Sequence, residues 1–250
     1  MGLTETSKRE KEFHDRRYRK NKGHRGLVTK SYIAYKFAVE RHQFLTDVKE
    51  SRVLEIGCSL GISKAKFFKH KNCSYTGINI SENCINTNKD LAKKENLDVE
   101  YITDDGNTLS SLKGRKFDLI FMTGVLHHLE YDIALPTLRS LLDENGKLIM
   151  LEPMATNPLI NLFRALTPKI RTVDEHPLNF SDFDYIKQFF PSSIFELHSI
   201  SSVIMIPFSL LISKKILYKF CKAFGKLDLF LTKIPIIKRL SWLVLIEAKF

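Results

Sequence analysis

The sequence is poor in cysteine and tryptophan, with four Cys and one Trp among 250 residues. Cys58, Cys73, Cys84 and Cys221 fit no zinc site, iron–sulfur site or CxxC pair. No metal is expected from them, and the thiols read as reduced, as in a cytoplasmic protein. A long apolar run is also missing. The longest uncharged stretch, Ser199 to Ser213, contains Pro207 and falls short of the ~20 residues that span a bilayer. The N-terminus, MGLTETSKREKEFHDRRYRK, has no apolar segment of the kind a secretory signal needs. Pro and Gly number 8 and 11, which excludes fibrous and disordered classes. No repeat or low-complexity tract is found.

Acidic residues are the minority, 28 against 39 basic, for a net charge of +11. The excess is concentrated. Residues 8–36 hold eleven Lys/Arg against three acids, and residues 205–240 hold eight against Asp228 alone. Two basic segments thus flank a mildly acidic body. Such segments attract an anionic surface, either lipid headgroups or nucleic acid.

Between about 52 and 153, short apolar runs alternate with longer polar ones. The apolar runs are RVLEIGC, SYTGINI, DVEYIT, FDLIFMTG and GKLIMLEP. Several are almost continuously hydrophobic, as strands covered on both faces are. Ser81–Asn96 and Leu126–Leu142 suit helices, with Ser81 as N-cap, and Glu144-Asn145-Gly146 reads as a turn. The alternation predicts a doubly wound, mostly parallel sheet with helices on both faces. A sixth strand is expected near Ser193–Ile206 and a seventh in SWLVLIEAKF. The predicted division is a basic helical arm, residues 1–48, and an α/β domain, 49–250. Within that domain, 154–191 form a substrate-side loop with helices. Residues 207–240 form an amphipathic insertion, broken by Gly225 and Pro235 into two or three short helices.

The most informative segment is VLEIGCSLG, Val53–Gly61. A strand enters a tight turn at Gly57 and Gly61, where glycine permits unusual backbone angles and close ligand approach. Asn79 lies 22 residues after Gly57, at the tip of the next strand, where ribose hydroxyls bind in such sheets. A third strand ends at Asp104-Asp105-Gly106-Asn107, and a fourth at Thr123-Gly124-Val125-Leu126-His127-His128. The spacing departs from GxGxxG, which disfavours a nicotinamide dinucleotide.

In the order VLEIGCSLG, TGINIS, DDGNTL, FDLIFMTGVLHHL and LLDENGKLIMLEP, the stretch from Val53 to Pro153 resembles the class I S-adenosylmethionine (SAM)-dependent methyltransferases. The resemblance implies a Rossmann-like, seven-stranded sheet. It implies that Glu55, Gly57, Cys58, Ser59 and Gly61 line the methionine and ribose end of SAM. Asn79 and Ile80 would hold the ribose and flank the adenine. Asp105, Gly106 and Asn107 would face the adenine, and Thr123 and Gly124 the methionine part. Two positions depart from the family pattern: Ser59 stands where Gly is usual, and Asn79 where an acid is usual. Asn lacks the strength of a charged acceptor, so SAM binding is expected to be weakened. The run Leu151–Leu178 is similar to a bacterial subgroup with LEP…NPLI…TP…RT…DEHPL.

Methyl transfer from a sulfonium to a hydroxyl or amine needs alignment and removal of a proton. One of His127 and His128, after the fourth strand, could face the methyl group; His128 is favoured, and with His176 and Glu175 it makes up the candidate catalytic residues. His14, on a lid helix, and Arg171 are candidates for substrate contact. The cluster between Pro168 and Pro177 also contains Lys169 and Asp174. The expected activity is methylation of a hydroxyl, less readily an amine, on a small or lipid-like acceptor. Residues 207–240 would rest on an anionic membrane surface, at the inner face of the membrane. The alternatives are an RNA methyltransferase and a non-catalytic SAM-binding protein. Nucleic acid is disfavoured because the insertion is greasy and no nucleic-acid module is found.

Overall fold

The structure, a computed structural model, describes residues 3–19, 48–168, 171–204 and 213–250. Residues 20–47 of the expected arm, Lys169, and the start of the expected insertion (207–212) lie outside the described residues.

Helix α1 (Glu5–Arg19) precedes a seven-stranded sheet: β1 (Arg52–Ile56), β2 (Ser74–Asn79), β3 (Glu100–Thr103), β4 (Phe117–Thr123), β5 (Leu142–Pro153), β6 (Ile194–His198) and β7 (Leu243–Ala248). The order is β3-β2-β1-β4-β5-β7-β6. The first five are parallel, with Val53 opposite both Tyr75 and Leu119, and β7 runs antiparallel to β5 and β6. Strand order reverses between β1 and β4. Parallel sheets bind ligands in the crevice beyond the strand C-termini at such a reversal.

The central strands read as unbroken apolar runs because alternate residues feed two cores. Leu54, Ile56, Ile120, Met122, Leu148, Met150, Val244 and Ile246 face one layer. There they meet Leu135 and Leu138 of α4 (Tyr131–Leu141) and Ile186 of α6 (Phe180–Phe189). Val53, Leu119, Phe121, Ile149, Leu151 and Leu245 face the other layer. They meet Phe68 of α2 (Ser63–Lys69) and Ile85 of α3 (Glu82–Lys94). Each such aliphatic side chain contributes about 1.5–3 kcal/mol when fully buried. Ser81 caps α3 by accepting from Cys84 N.

Three local expectations are corrected. The turn at Glu144–Gly146 is a bulge within β5: Leu142 pairs with Phe117 and Lys147 with Leu119, leaving residues 143–146 looped between. The helix foreseen from Leu126 begins as a single 3₁₀ turn, Leu126–His128, and α4 starts only at Tyr131. The insertion is not cut at Gly225, because α7 (Lys214–Leu231) runs through it. A glycine costs a helix about 1 kcal/mol without ending it. Here Gly225 is buried where Phe224 O and Asp228 Oδ1 accept from Ser201 Oγ, so tertiary bonding holds the helix. The chain does turn around Pro235, before a short 3₁₀ segment, Ile237–Leu240. Helix α5 (Pro158–Leu166) is capped by Asn157, whose side chain accepts from Leu159 N and Ile160 N.

Candidate active site

The loops after β1, β2 and β3 converge. The turn leaving β1 has Gly57 at φ +74° and Gly61 at φ +114°, conformations that a Cβ strains. A Cβ on Gly57 would stand 2.4 Å from Val125 Cγ2, so this glycine is what lets the β1 and β4 ends close on each other. Around Gly61 the space is open. Ser59 does not lie at positive φ, so serine carries no left-handed strain where the family has glycine. Buried Asn88 of α3 holds the same turn: its Nδ2 donates to Ser59 O and its Oδ1 accepts from Gly61 N, both at 2.9 Å.

Asn79 joins β2 to this turn. Its Nδ2 donates to Cys58 O at 2.8 Å, and its Oδ1 accepts from Ser81 N at 2.8 Å. Ile80 follows it, half-buried. Cys58 is buried, and its thiol is pushed up in pKa by the Cys84 thiol and by burial. Glu55 is turned toward Tyr75, which donates to it, and Lys64, which pairs with it. Asp105 is buried and accepts from Asn107 N at 2.9 Å and from Ser7 Oγ of α1 at 2.6 Å. Gly106 packs under Leu129. Asn107 Oδ1 accepts from Glu130 N, tying this loop to the start of α4. Thr123 pairs with Leu151, and Gly124, at φ +64°, donates to Leu151 O.

The loops after β4 and β5 form a second, ionisable cluster. Glu152, fully buried at the end of β5, accepts from Val125 N and Leu126 N at 2.9 Å, His127 N at 3.4 Å, and His127 Nδ1 at 2.7 Å. A buried carboxylate is tolerated only when its lone pairs are met this way. Burial, aided by neighbouring His128, pushes His127 down in pKa and outweighs Glu152. Burial thus favours the neutral imidazole, and a carboxylate at 2.7 Å is met by the tautomer that carries its proton on Nδ1. His128 Nδ1 meets Glu10 Oε1 of α1 at 3.0 Å. Burial pushes His128 down, but Glu10 more than reverses this and raises it. Burial likewise works against the Glu10 carboxylate, yet His128, His14 and Thr172 hold it below the usual range.

Segment 171–178 closes the cluster. Thr172 Oγ1 donates to Glu10. Arg9 donates twice to Asp174, both at 2.7 Å. Arg171 Nη1 stands 3.9 Å from Glu175. His176 N donates to His127 O at 2.9 Å, but the His176 side chain is exposed at the rim, against Tyr131. His14 Nε2 lies 3.5 Å from Glu10 Oε2, and its ring approaches that of His128 edge-on.

Thus His128, Glu175, Arg171 and His14 come together, while His176 reaches the group mainly through its backbone. The sequence reading missed Ser7, Glu10, Asp15, Glu152 and Thr172. Asp15 accepts from Ser81 Oγ and Asn83 Nδ2, so α1 straps both halves of the site. The available signal was the spacing Ser7, Glu10, His14, Tyr18, one face of a helix at three- and four-residue steps.

The strand order, the reversal and the glycine turn define a Rossmann-like methyltransferase fold. Residues 54–148 match the family model described as a methyltransferase domain. Over that stretch the chain is similar to methyltransferase domains. No curated protein matches it. Among solved structures, Haemonchus contortus phosphoethanolamine N-methyltransferase 2, in complex with phosphomonomethylethanolamine and S-adenosylhomocysteine, aligns with a TM-score of 0.62 at 14% identity. That match covers 99% of this chain and 60% of the other, so this chain spans about three-fifths of that enzyme's length. Magnesium protoporphyrin IX methyltransferase from Synechocystis PCC 6803, with bound SAM, aligns over 100% of both chains with a TM-score of 0.58 at 12% identity. Coclaurine N-methyltransferase bound to N-methylheliamine and SAH gives a TM-score of 0.54 at 16% identity, over 88% of this chain and 71% of that one. At these identities the likeness is one of fold.

Proposed function

We propose that the chain binds SAM across the β1–β4 crevice and transfers its methyl group to a hydroxyl oxygen, less readily an amine, of a small amphiphilic acceptor. SAM supplies a methyl group already activated on a sulfonium. The fit rests on the glycine turn, which keeps the crevice clear of Cβ atoms, and on the buried carboxylate of Asp105. The turn Gly57–Gly61, with Cys58 and Ser59, and Thr123 and Gly124 would hold the methionine end. Asn79 and Ile80 would take the ribose, and Asp105, Gly106 and Asn107 the adenine.

The single observation that carries the reading is the contact of Gly57 with Val125, two residues before His127. It brings the His127–His128–Glu175 group beside the glycine turn, where an acceptor oxygen must meet the methyl group. There the chain has to orient the acceptor, exclude water and govern its proton. His128, positioned by Glu10 and covered by α1, faces that oxygen with Glu175. Arg171 and His14 border it.

A membrane-surface acceptor is supported by α7. At 100° per residue the helix has three faces. Leu217, Gly225 and Asp228 are buried. Lys215, Lys219, Lys222 and Lys226 form an exposed basic stripe. Ile216, Phe220, Leu227 and Phe230 form an exposed apolar stripe beside it, 46–63% exposed. This is the arrangement of an interfacial helix, apolar residues in and lysines to headgroups. No described helix is long and apolar enough to cross a membrane. The test incubates the chain with labelled SAM and lipid extracts and follows labelled products by mass spectrometry, alongside sedimentation with anionic vesicles. Label in an amphiphilic product, and vesicle binding lost in a Phe220→Asp/Phe230→Asp double variant, are expected. Label in RNA alone, or equal sedimentation with and without vesicles, would overturn the proposal.

A further inference from the structure

We propose that His127, His128 and Glu175 form a binding site for one divalent first-row transition cation at the acceptor end of the crevice. One ring nitrogen of each histidine and one carboxylate oxygen of Glu175 lie within 4.8 Å of one another. Metal bonds of roughly 2.0–2.2 Å place tetrahedral ligands about 3.3–3.6 Å apart, so closing on an ion takes side-chain movements of about an ångström. Two imidazoles and one carboxylate are the donor set that iron(II), zinc and their neighbours accept, leaving positions open for another oxygen.

The surroundings argue for a ligand role more strongly than the three residues alone. A ligating histidine donates its other ring N–H to a carboxylate or carbonyl, which fixes its tautomer and aims its lone pair. Both histidines have that support. His127 Nδ1 is held by Glu152 at 2.7 Å and His128 Nδ1 by Glu10 at 3.0 Å. Both carboxylates are buried. Nε2 is therefore the nitrogen each ring has to offer, and among the described residues neither Nε2 has a hydrogen-bond partner. A single catalytic base needs one such pair. Two adjacent pairs with a third carboxylate close by supply three donors, with Glu10 and Glu152 as positioning residues. Three carboxylates (Glu10, Glu152, Glu175) against Arg171 give the pocket a negative balance that a dication offsets, and the ion displaces any proton held on Nε2. The cation's service to the acceptor, holding its oxygen next to the methyl group, rests on the proposed methyl transfer. Its binding does not.

The test strips the full chain with a chelator, then titrates it with Co²⁺, followed by its visible ligand-field absorption and reversed by Zn²⁺. One-to-one saturation is expected. Glu175→Gln, a half-buried change, should weaken binding at least ~10-fold, and Glu152→Gln, which touches no ion, by roughly 10–100-fold. His70→Gln, an exposed histidine between α2 and β2, should bind as the parent does. Absence of saturable binding, or equal binding by parent and Glu175→Gln protein of unchanged melting temperature, overturns the site. SAM titration of the same samples keeps the two failures apart. Co²⁺ binding without SAM binding breaks the methyl-transfer reading, and SAM binding without Co²⁺ binding breaks this one.

Discussion

The two halves of the cleft are held together by different physics. Beyond β1–β3, polar side chains satisfy backbone groups: Asn79 holds Cys58 O and Ser81 N, and Asn88 holds Ser59 O and Gly61 N. Those bonds shape loops and survive changes in charge. Beyond β4–β5, ionisable side chains satisfy one another, in the pairs Glu152–His127 and Glu10–His128. Such groups are costly to leave unpaired, so this half is sensitive to every partner it has. The contrast suits a division of labour in which one half is a rigid mould for a cofactor and the other a tuned chemical site.

Four substitutions sharpen or break that contrast. The largest effect belongs to Glu152→Ala, which orphans three backbone N–H groups and the His127 ring. A loss of roughly 3–5 kcal/mol in denaturant unfolding is expected, and a loss under about 1 kcal/mol would mean Glu152 does not organise the β4 turn. Asp105→Ala comes next. Removing a buried charged acceptor, worth about 1.5–3 kcal/mol, should weaken SAM binding ~10-fold or more in calorimetry; an unchanged affinity would remove Asp105 from the cofactor half. Glu10→Gln acts on the other half. It should cut turnover with the acceptor found in the extract screen by roughly 10–100-fold while SAM affinity holds within a few-fold. Equal losses in both would reduce Glu10 to a structural tie between α1 and the body. Smallest is His176→Ala. Its side chain is exposed, so turnover should fall only a few-fold; a loss approaching that of Glu10→Gln would restore it to the chemistry.

The half proposed to hold the cofactor was legible because its parts are local. VLEIGCSLG places strand, glycine turn and helix start within a dozen residues, and a mostly parallel sheet follows from alternation. The half proposed to meet the acceptor was only partly legible, because its contacts join distant segments. Glu10 meets Thr172, and Ser7 meets Asp105. Helix α1 buries a polar face (Ser7, Glu10), whereas periodicity reading looks for an apolar one. Glu152 sat unnoticed inside LIMLEP because a buried strand there reads as hydrophobic. Gly225 misled for the opposite reason: a weak local signal was overruled by the Asp228–Ser201 contact.

The central claim is that the crevice between the glycine turn and Val125 is a SAM site. Calorimetric titration of the full chain with SAM tests it most directly. Saturable binding of one SAM per chain is the result this account requires. No heat, together with no shift in melting temperature at saturating SAM, would contradict it.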